Sequence, residues 1–413
     1  MRHVSIEQRW LFIFTAALVI MGGLGWANIR FARSNPGGND FLVHYQGARA
    51  LLLEGISPYS DLVADRIQDE VYGRPARPGE HELRVAYPLY SVGLFAPFAL
   101  IPNYPAARAL WMTFLEICLL AAALINFQVL GWKPGPGLAG VVLLFSLSWY
   151  HGARGVINGN AVIVLALLVS LCLWALKEGR EYAAGILMAL TTIKPHLVAL
   201  WILLILLWTL SRGNWRSLIA FLLAMGLMIG VGMLVVPDWV LQNLREVIRF
   251  PSYNPVLTLG GALASWLPGI GHMIKWGLGL GLGLLLAVEW WQVRGKGFRH
   301  FCWTACLTLV ITQMMGIPTD PGNFILFFPA LMVIFATWDQ RWRKFGSYAV
   351  LAAAALLGVG LWFLFILTLE RTYQPVQSPV MFLPLPAFTM LGMYWVRWWM
   401  VKPILAAMEE SSY

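Results

Sequence analysis

The chain has little charge for its length. Charged residues make up 12% of 413 residues and hydrophobic ones 59%, about half the charge of an ordinary globular domain. That deficit excludes a soluble fold, which has nowhere to hide so much apolar surface, whereas a bilayer accepts it on every side. Cysteine is scarce too: Cys118, Cys172, Cys302 and Cys306 all lie inside apolar stretches. Cys302 and Cys306 stand one helical turn apart, but no His or carboxylate completes a metal site around them, so they read as packing residues. The sequence also lacks a Walker loop, a dinucleotide glycine pattern, a Ser-His-Asp arrangement and a metal-ligand cluster. Nothing here handles a nucleotide, and neither a metal nor a cofactor is expected.

What the chain does have is apolar runs. They fall at 10–29, 88–101, 105–129, 138–150, 159–177, 182–193, 195–210, 217–236, 271–293, 300–316, 323–338, 346–369 and 383–401. Many of the 21 tryptophans sit at run ends (Trp10, Trp26, Trp111, Trp132, Trp149, Trp338), as interfacial belts require. The first run is longer than a signal-peptide core and lacks a small-residue cleavage flank, so it reads as a retained span. The net charge of +9 is concentrated in short turns, Lys177–Arg180, Arg212–Arg216, Arg294–Arg299 and Arg341–Lys344. The positive-inside tendency places these turns in the cytoplasm. The clusters are too short and dispersed for nucleic acid.

Several runs are shorter than the roughly 20 residues a helix needs to cross. The shortest, 88–101, 138–150 and 182–193, are candidates for half-helices buried in the bundle. Turn parity leaves about 12 spans (11–13), with both termini cytoplasmic and one short segment not crossing. The expectation is an all-α polytopic integral membrane protein with a single domain over 1–413. Two longer connections then face outside, 30–87 and 237–270. In the first, Leu42, Tyr45, Ala48 and Leu52 predict an amphipathic helix lying on the membrane, stopped by Gly55 and followed by a Ser57-Pro58-Tyr59 turn. In the second, Val240, Leu244, Val247 and Ile248 predict another interfacial helix before Pro251.

The 31–87 stretch carries eight of the twenty acidic residues, beginning with an isolated Asp40 just past the membrane exit. Asp40 ends a Gly-rich run, Asn35-Pro-Gly-Gly-Asn-Asp40. It suits a helix N-cap, and equally a general base held at a helix start to deprotonate a hydroxyl. Lys194-Pro195-His196 interrupts two apolar runs. An ammonium there must reach water or an anion, and beside a helix N-terminus it suits a phosphate; a lysine that merely snorkels to the interface is the alternative. His151-Gly-Ala-Arg154-Gly-Val-Ile-Asn158-Gly-Asn160 is a polar break. In it Arg154 could hold phosphate, and Asn158 or Asn160 sugar hydroxyls, although an ordinary capped loop has the same composition. Asp320, in Pro318-Thr-Asp-Pro-Gly-Asn323, and Arg371 fall at the outer ends of late spans. His81, Glu82 and Arg84 precede Tyr87-Pro88 and are expected at the same mouth.

These residues carry a resemblance. Asp40-x4-Tyr45-x2-Ala48-x6-Gly55-x2-Pro58-Tyr59 resembles the first-loop signature of the family-87 glycosyltransferases, the polyprenyl-phosphate-mannose-dependent mannosyltransferase group of the GT-C superfamily. Tyr87-Pro88 with Leu94, Pro97, Ile101-Pro102 and Trp111 is similar to that family's short second span and third helix. Gly159-Asn160 stands where members commonly have Gly-Gln, and Ala184-Gly185 through Leu190 to Lys194-Pro195 is similar to a later glycine–lysine element. The resemblance covers roughly residues 38–200. In the late outer loop, where members often carry a histidine within Ser-Trp-x-His-Tyr, this chain has Thr319-Asp320-Pro321-Gly322-Asn323.

The resemblance implies a GT-C-type bundle with interfacial helices in the first loop. It implies an inverting transfer of a mannose-like sugar from a polyprenyl-phosphate donor to a lipid or glycan acceptor, at the extracytoplasmic face of the plasma membrane and without a metal. Asp40 would then activate the acceptor. Lys194, Arg154 and His196 would hold the donor phosphate. His44, Tyr45, Tyr59, Tyr87, Asn158, Asn160 and Asp320 would contact sugar or acceptor. Membrane lipids are the expected surroundings and nucleic acid is not a partner. Three rivals remain: a secondary transporter, which should show internal repeats and midplane charges; a non-catalytic subunit that binds lipid-linked sugar and needs no base; and another membrane enzyme using lipid-linked sugars, such as a polymer ligase, whose acceptor would be a second lipid-linked glycan.

Overall fold

The structure, a computed structural model, describes residues 6–253, 258–267, 269–315, 319–369 and 378–402. Arg371 lies outside them. Among the described residues every regular element is a helix. This follows from an apolar environment, where backbone groups must be satisfied within their own segment.

The chain enters through α1 (Ile6–Ser34) and turns at Gly37–Gly38 into α2 (Asn39–Glu54) and α3 (Asp61–Tyr72). A short α4 (Val92–Ala99) leads into α5 (Tyr104–Leu130). Then come α6 (Pro136–Ser148), α7 (Tyr150–Asn158), α8 (Val162–Lys177), α9 (Glu181–Thr191), α10 (Pro195–Ser211) and α11 (Arg216–Val235). The second long connection holds α12 (Trp239–Tyr253) and α13 (Leu259–Trp266). The last third is α14 (Gly271–Val293), α15 (Phe298–Met314), α16 (Phe328–Ala355), α17 (Leu361–Thr368) and α18 (Pro384–Val401).

Six segments are long and apolar enough to cross a membrane: Tyr104–Leu130, Arg216–Val235, Gly271–Val293, Pro321–Trp342, Lys344–Thr368 and Pro379–Val401. Five further apolar helices, Leu89–Ala99, Pro136–Ser148, Val162–Lys177, Glu181–Thr191 and Pro195–Ser211, are shorter. The sequence separates the runs before and after Arg341, and the structure joins them in α16. Ser347 donates to the Asp339 carboxylate at 2.5 Å; eight residues of straight helix would rise about 12 Å, so the chain doubles back there.

Burial sorts the helices. Residues 321–338 are buried throughout and form the centre, whereas α11 exposes Leu222, Leu223, Leu227 and Leu234. A helix that is apolar all round and still exposed faces lipid. Polar and small residues join neighbouring helices, as expected where the hydrophobic effect cannot. Asn28 of α1 donates to Thr113 and Glu116 of α5 at 3.0 and 2.9 Å. Gly185 brings α9 so near α11 that a Cβ would stand 2.4 Å from the Ser217 carbonyl.

Two local expectations need correction. α2 is not a one-sided surface helix: Phe41, Leu42, Val43, His44, Tyr45, Gly47, Ala48 and Ala50 are all buried, and only its last turn exposes Leu52 and Leu53. Phe41 explains this. Its ring lies against Phe95 and Phe98 from α4, and Tyr104 and Trp111 from α5, with centroids 5.4–6.4 Å away, so both neighbours cover α2. Residues 150–158 are also no loop but the helix α7, begun after an extended Trp149 and ended by Gly159. In contrast α12 shows the expected lopsided face, with Leu241, Leu244, Val247 and Ile248 exposed and Trp239 and Glu246 buried.

The basic turns gather at one end of the bundle. There Lys177 donates to the Gln128 carbonyl, Trp132 to Asp339, and Trp208 to the Lys296 carbonyl. The loops containing Asp40 and Lys194 lie at the other.

Candidate functional site

The position of Asp40 is set by the turn before it. Gly38, left-handed at φ 79°, is the N-cap of α2, so Asp40 sits in the first helical turn rather than at the cap. Its carboxylate is therefore not consumed in capping, which answers one of the two sequence readings. Tyr104 donates to the carbonyls of Gly37 and Gly38 at 2.9 and 3.2 Å, and Arg108 donates to Asn35 at 2.6 Å. The second arm of Arg108 reaches the Ile157 carbonyl of α7 at 3.1 Å. A buried guanidinium thus ties the turn before Asp40 to the helix carrying Arg154.

Gly159 makes the same link from the other side. With φ 74° it ends α7, and a Cβ there would lie 2.4 Å from the Cβ of Phe41. Its carbonyl accepts from Trp111 at 3.0 Å. Only a glycine permits that approach, which sets the end of α7 against the start of α2.

Asn160 is buried and its side-chain oxygen caps Val162 at 3.1 Å. Lys194, at the N-cap position of α10, donates to Asn160 at 3.4 Å and to Asn323 at 3.2 Å. Its Nζ lies over the Tyr87 ring, 5.2 Å from the ring centre, and faces the Tyr87 hydroxyl. Tyr87 in turn stacks on His44 at 3.9 Å. Asp320 caps the 3-10 segment after it by accepting from Gly322 at 2.6 Å, and it is exposed. Arg154 donates to the Tyr150 hydroxyl and lies over Phe365 at 5.2 Å.

Electrostatics shows that these groups face one space. Burial pushes the Asp40 carboxyl above the usual carboxylate range; Lys194 pulls it back, Asp320 adds to the push and Arg154 opposes it. Yet Asp40 is exposed. A carboxylate that solvent touches while protein surrounds it lines a recess. Among the described residues no ion pair joins Asp40 to Lys194 directly, so the two oppose each other with space between. His44 is driven down to about 3 by burial and then by Lys194, which leaves a neutral imidazole in the wall. His196 is exposed on the first turn of α10 and feels Lys194.

The structure therefore brings Asp40, His44, Tyr87, Arg154, Asn160, Lys194, His196 and Asp320 to one recess. Other expected residues lie elsewhere or aim away. Tyr45 is buried and donates to the Ile101 carbonyl at 2.7 Å, fastening α2 to the end of α4. Tyr59 is buried and donates to the Tyr87 carbonyl at 2.7 Å. Asn158 is half-buried at the end of α7 and does not bond Lys194. Of the mouth residues, Arg84 is held by Asp61 and Glu82 at 2.6 and 2.8 Å. Sequence reasoning missed Arg108 and Asn323. A charge inside an apolar run was the available signal for Arg108; Asn323 gave none beyond its turn motif.

Two further recesses lie away from these groups. One, of about 500 Å³, is lined by Leu207, Leu210, Ser211, Ala287, Trp290, Trp291 and Arg294. The other, of about 240 Å³, is lined by residues 179–183 and Arg216. Both belong to the basic end of the bundle.

Two carboxylates, two cations and hydrogen-bonding amides around one opening can hold a phosphate and deprotonate a hydroxyl. The sequence profile of glycosyltransferase family 87 matches residues 86–315. No curated protein and no solved structure matches the chain. The profile spans more than half of the chain, from Ala86 through Lys194 to the end of α15, and it fits the apolar helices around the recess: the chain belongs to glycosyltransferase family 87 and is a membrane glycosyltransferase.

Proposed function

We propose that this chain moves a mannose-like sugar from a polyprenyl-phosphate donor to a hydroxyl of a lipid or glycan acceptor, with inversion. The observation that carries the reading is the opposition of Asp40 to Lys194 and Arg154 across one recess. The acceptor oxygen attacks the anomeric carbon as its proton passes to Asp40. The bond from that carbon to the phosphate oxygen breaks, and its electron pair leaves with the polyprenyl phosphate. Lys194 and Arg154 stabilise the charge growing on that oxygen, which is where fixed cations act most strongly. His196 stands at the rim beside them. Asn160, Asp320, His44 and Tyr87 line the sugar's surroundings, with Asn158 one turn away. Tyr45 and Tyr59 drop out of the substrate set because their hydroxyls are committed to backbone carbonyls.

The recess opens on the extracytoplasmic side of the plasma membrane in this reading. What supports that side is the clustering of basic turns at the opposite end. The same reading has twelve crossings: α1, α15, the six long apolar segments and the shorter Pro136–Ser148, Val162–Lys177, Glu181–Thr191 and Pro195–Ser211. Leu89–Ala99 is then the segment that turns back. Supporting this, Arg49 of α2 donates to the Ala99 carbonyl at 2.8 Å, so α4 ends beside the loop from which it started.

The test is transfer by the purified chain from a panel of polyprenyl-phosphate sugars, together with donor affinity in Lys194→Met. Charge-assisted bonds contribute about 1.5–3 kcal/mol, so donor affinity should fall by about tenfold to a hundredfold. Affinity unchanged in a folded variant would remove the lysine from the phosphate site. A folded wild type that transfers none of the sugars would end the enzyme reading.

A further inference from the structure

The second long connection is tied to the first at several points that converge on Tyr87. On α12, Asn243 donates to the Ala86 carbonyl at 3.0 Å and faces the Tyr59 hydroxyl. Tyr59 itself donates to the Tyr87 carbonyl at 2.7 Å. The peptide unit on each side of Tyr87 is therefore fixed, one directly by α12 and the other through Tyr59. One residue earlier, Gln242 accepts from Ser57 at 2.6 Å. One turn later, the buried Glu246 faces Arg84 at 3.8 Å, and Arg249 pairs with Glu82 at 2.7 Å. Trp239 closes the row edge-on against Tyr90 at 5.8 Å. Asn243 sits at the centre of this row and touches nothing in the recess.

Tyr87 is the residue in the recess that this row controls. Its ring covers both the Lys194 ammonium and His44, and its hydroxyl faces that ammonium. A lysine ends in four rotatable bonds, so its charge is placed only by what holds its tip. Asn160 and Asn323 hold it from below at 3.4 and 3.2 Å, bonds that are long by ordinary standards. The third support is Tyr87.

We propose that Asn243 is a positioning residue: α12 holds the Ala86–Tyr87 backbone so that Tyr87 fixes the Lys194 ammonium facing Asp40. The inference rests on the lipid-phosphate reading only for its consequence in binding, and its geometry can be tested without that reading. Loss of the amide in Asn243→Ala frees Tyr87, and Lys194 then swings toward solvent.

Two measurements on the full chain in detergent decide it. In the first, Lys194 labelling by a water-soluble amine-reactive reagent is followed by peptide mass spectrometry. Asn243→Ala and Tyr87→Phe should each speed it several-fold, and the double variant should be no faster than Tyr87→Phe alone. In the second, affinity for a short-chain polyprenyl monophosphate is titrated in the same variants. It should fall by about tenfold in each, without multiplying in the double variant, because residues acting through one another are not additive. Asn243→Gln, which keeps an amide donor, should recover part of both effects, which a purely packing role would not. Unchanged labelling in Asn243→Ala, or effects that multiply, overturns the proposal. Faster labelling with no binding of the monophosphate even by wild type leaves the positioning role standing and sinks the lipid-phosphate reading instead.

Discussion

Asp40→Asn removes one negative charge from the recess and almost no volume. The turn that places it should survive. Its supports are the Gly38 cap, Tyr104 on the Gly37 and Gly38 carbonyls and Arg108 on Asn35, and none of them uses the carboxylate. Loss of a general base lowers turnover by about 10²–10⁴. Donor binding should move the other way. Two unit charges about 8 Å apart in a medium of effective dielectric about 20 interact by about 2 kcal/mol. Removing the carboxylate's repulsion therefore tightens phosphate binding, by about thirtyfold at most.

Stability gives a third, independent readout. Burial raises the Asp40 carboxyl above its ordinary value. The folded chain thus keeps this proton to higher pH than the unfolded chain does, and ionising it costs stability as pH rises through that window. The variant has no proton to lose, so its thermal midpoint at neutral pH should hold or rise. Single-turnover transfer, donor titration and a thermal scan on one preparation measure all three. Turnover within threefold of wild type would refute the base assignment. So would a loss of activity expressed wholly as weaker donor binding, since that pattern belongs to a residue that binds phosphate or shapes the site.

Two further outcomes follow from the same geometry. Gly159→Ala puts a Cβ 2.4 Å from Phe41 at a φ of 74°; left-handed strain of about 1–2 kcal/mol and overpacking of about 1–3 kcal/mol should lower the thermal midpoint, and turnover should fall further because Phe41 carries Asp40 beside it. His44 and His81 are pushed by burial to about 3 and about 4, so between pH 6.5 and those values the unfolded chain binds protons that the folded chain refuses and stability falls as pH drops. His44→Gln should flatten that slope in a series of thermal scans, and an unchanged slope would mean that His44 is solvated.

Polar residues stranded in apolar sequence were legible because the bilayer makes them costly. That is how Asp40, Arg154, Asn160 and Lys194 could be singled out from residues alone. The structure adds that they share one opening, which no local pattern encodes: Asp40, Lys194 and Asp320 are brought together by contacts distant in sequence, among them Gly159 against Phe41 and Asn323 with Lys194. Helix stops were legible where glycine chemistry decides them, as at Gly55, which takes φ 69° to cap α2. The face of α2 was not, because its spacing of Leu42, Tyr45, Ala48 and Leu52 describes one stripe, while α4 and α5 come from elsewhere to cover the rest. Tyr45 misled for a related reason. A tyrosine in a loop signature looks like a substrate contact, and only the return of α4 shows that its hydroxyl is committed to Ile101. Arg108 was passed over because its run reads as a span, although a buried guanidinium there ties two chain segments together.

The charges themselves explain why such a cluster can persist without substrate. Asp40 and Asp320 balance Lys194 and Arg154, so the empty recess carries no large net field, and each cation is held by neutral groups as well, Asn160, Asn323 and Tyr87 for the lysine and Tyr150 for the arginine. A donor phosphate upsets the balance by one negative charge. On the proposed chemistry, the acceptor's proton then moves onto Asp40 as a second negative charge develops on the departing phosphate, so the total is unchanged while its location shifts toward the two cations. When Asp40 later returns its proton to water, a carboxylate again faces the phosphate and weakens its hold. Burial favours the first half of that cycle by raising the carboxyl's affinity for a proton, and the opening to solvent permits the second. A carboxylate buried without access could accept the proton but not release it, and one fully in water would gain nothing from Lys194. Asp40 meets both conditions because it is exposed and surrounded at once.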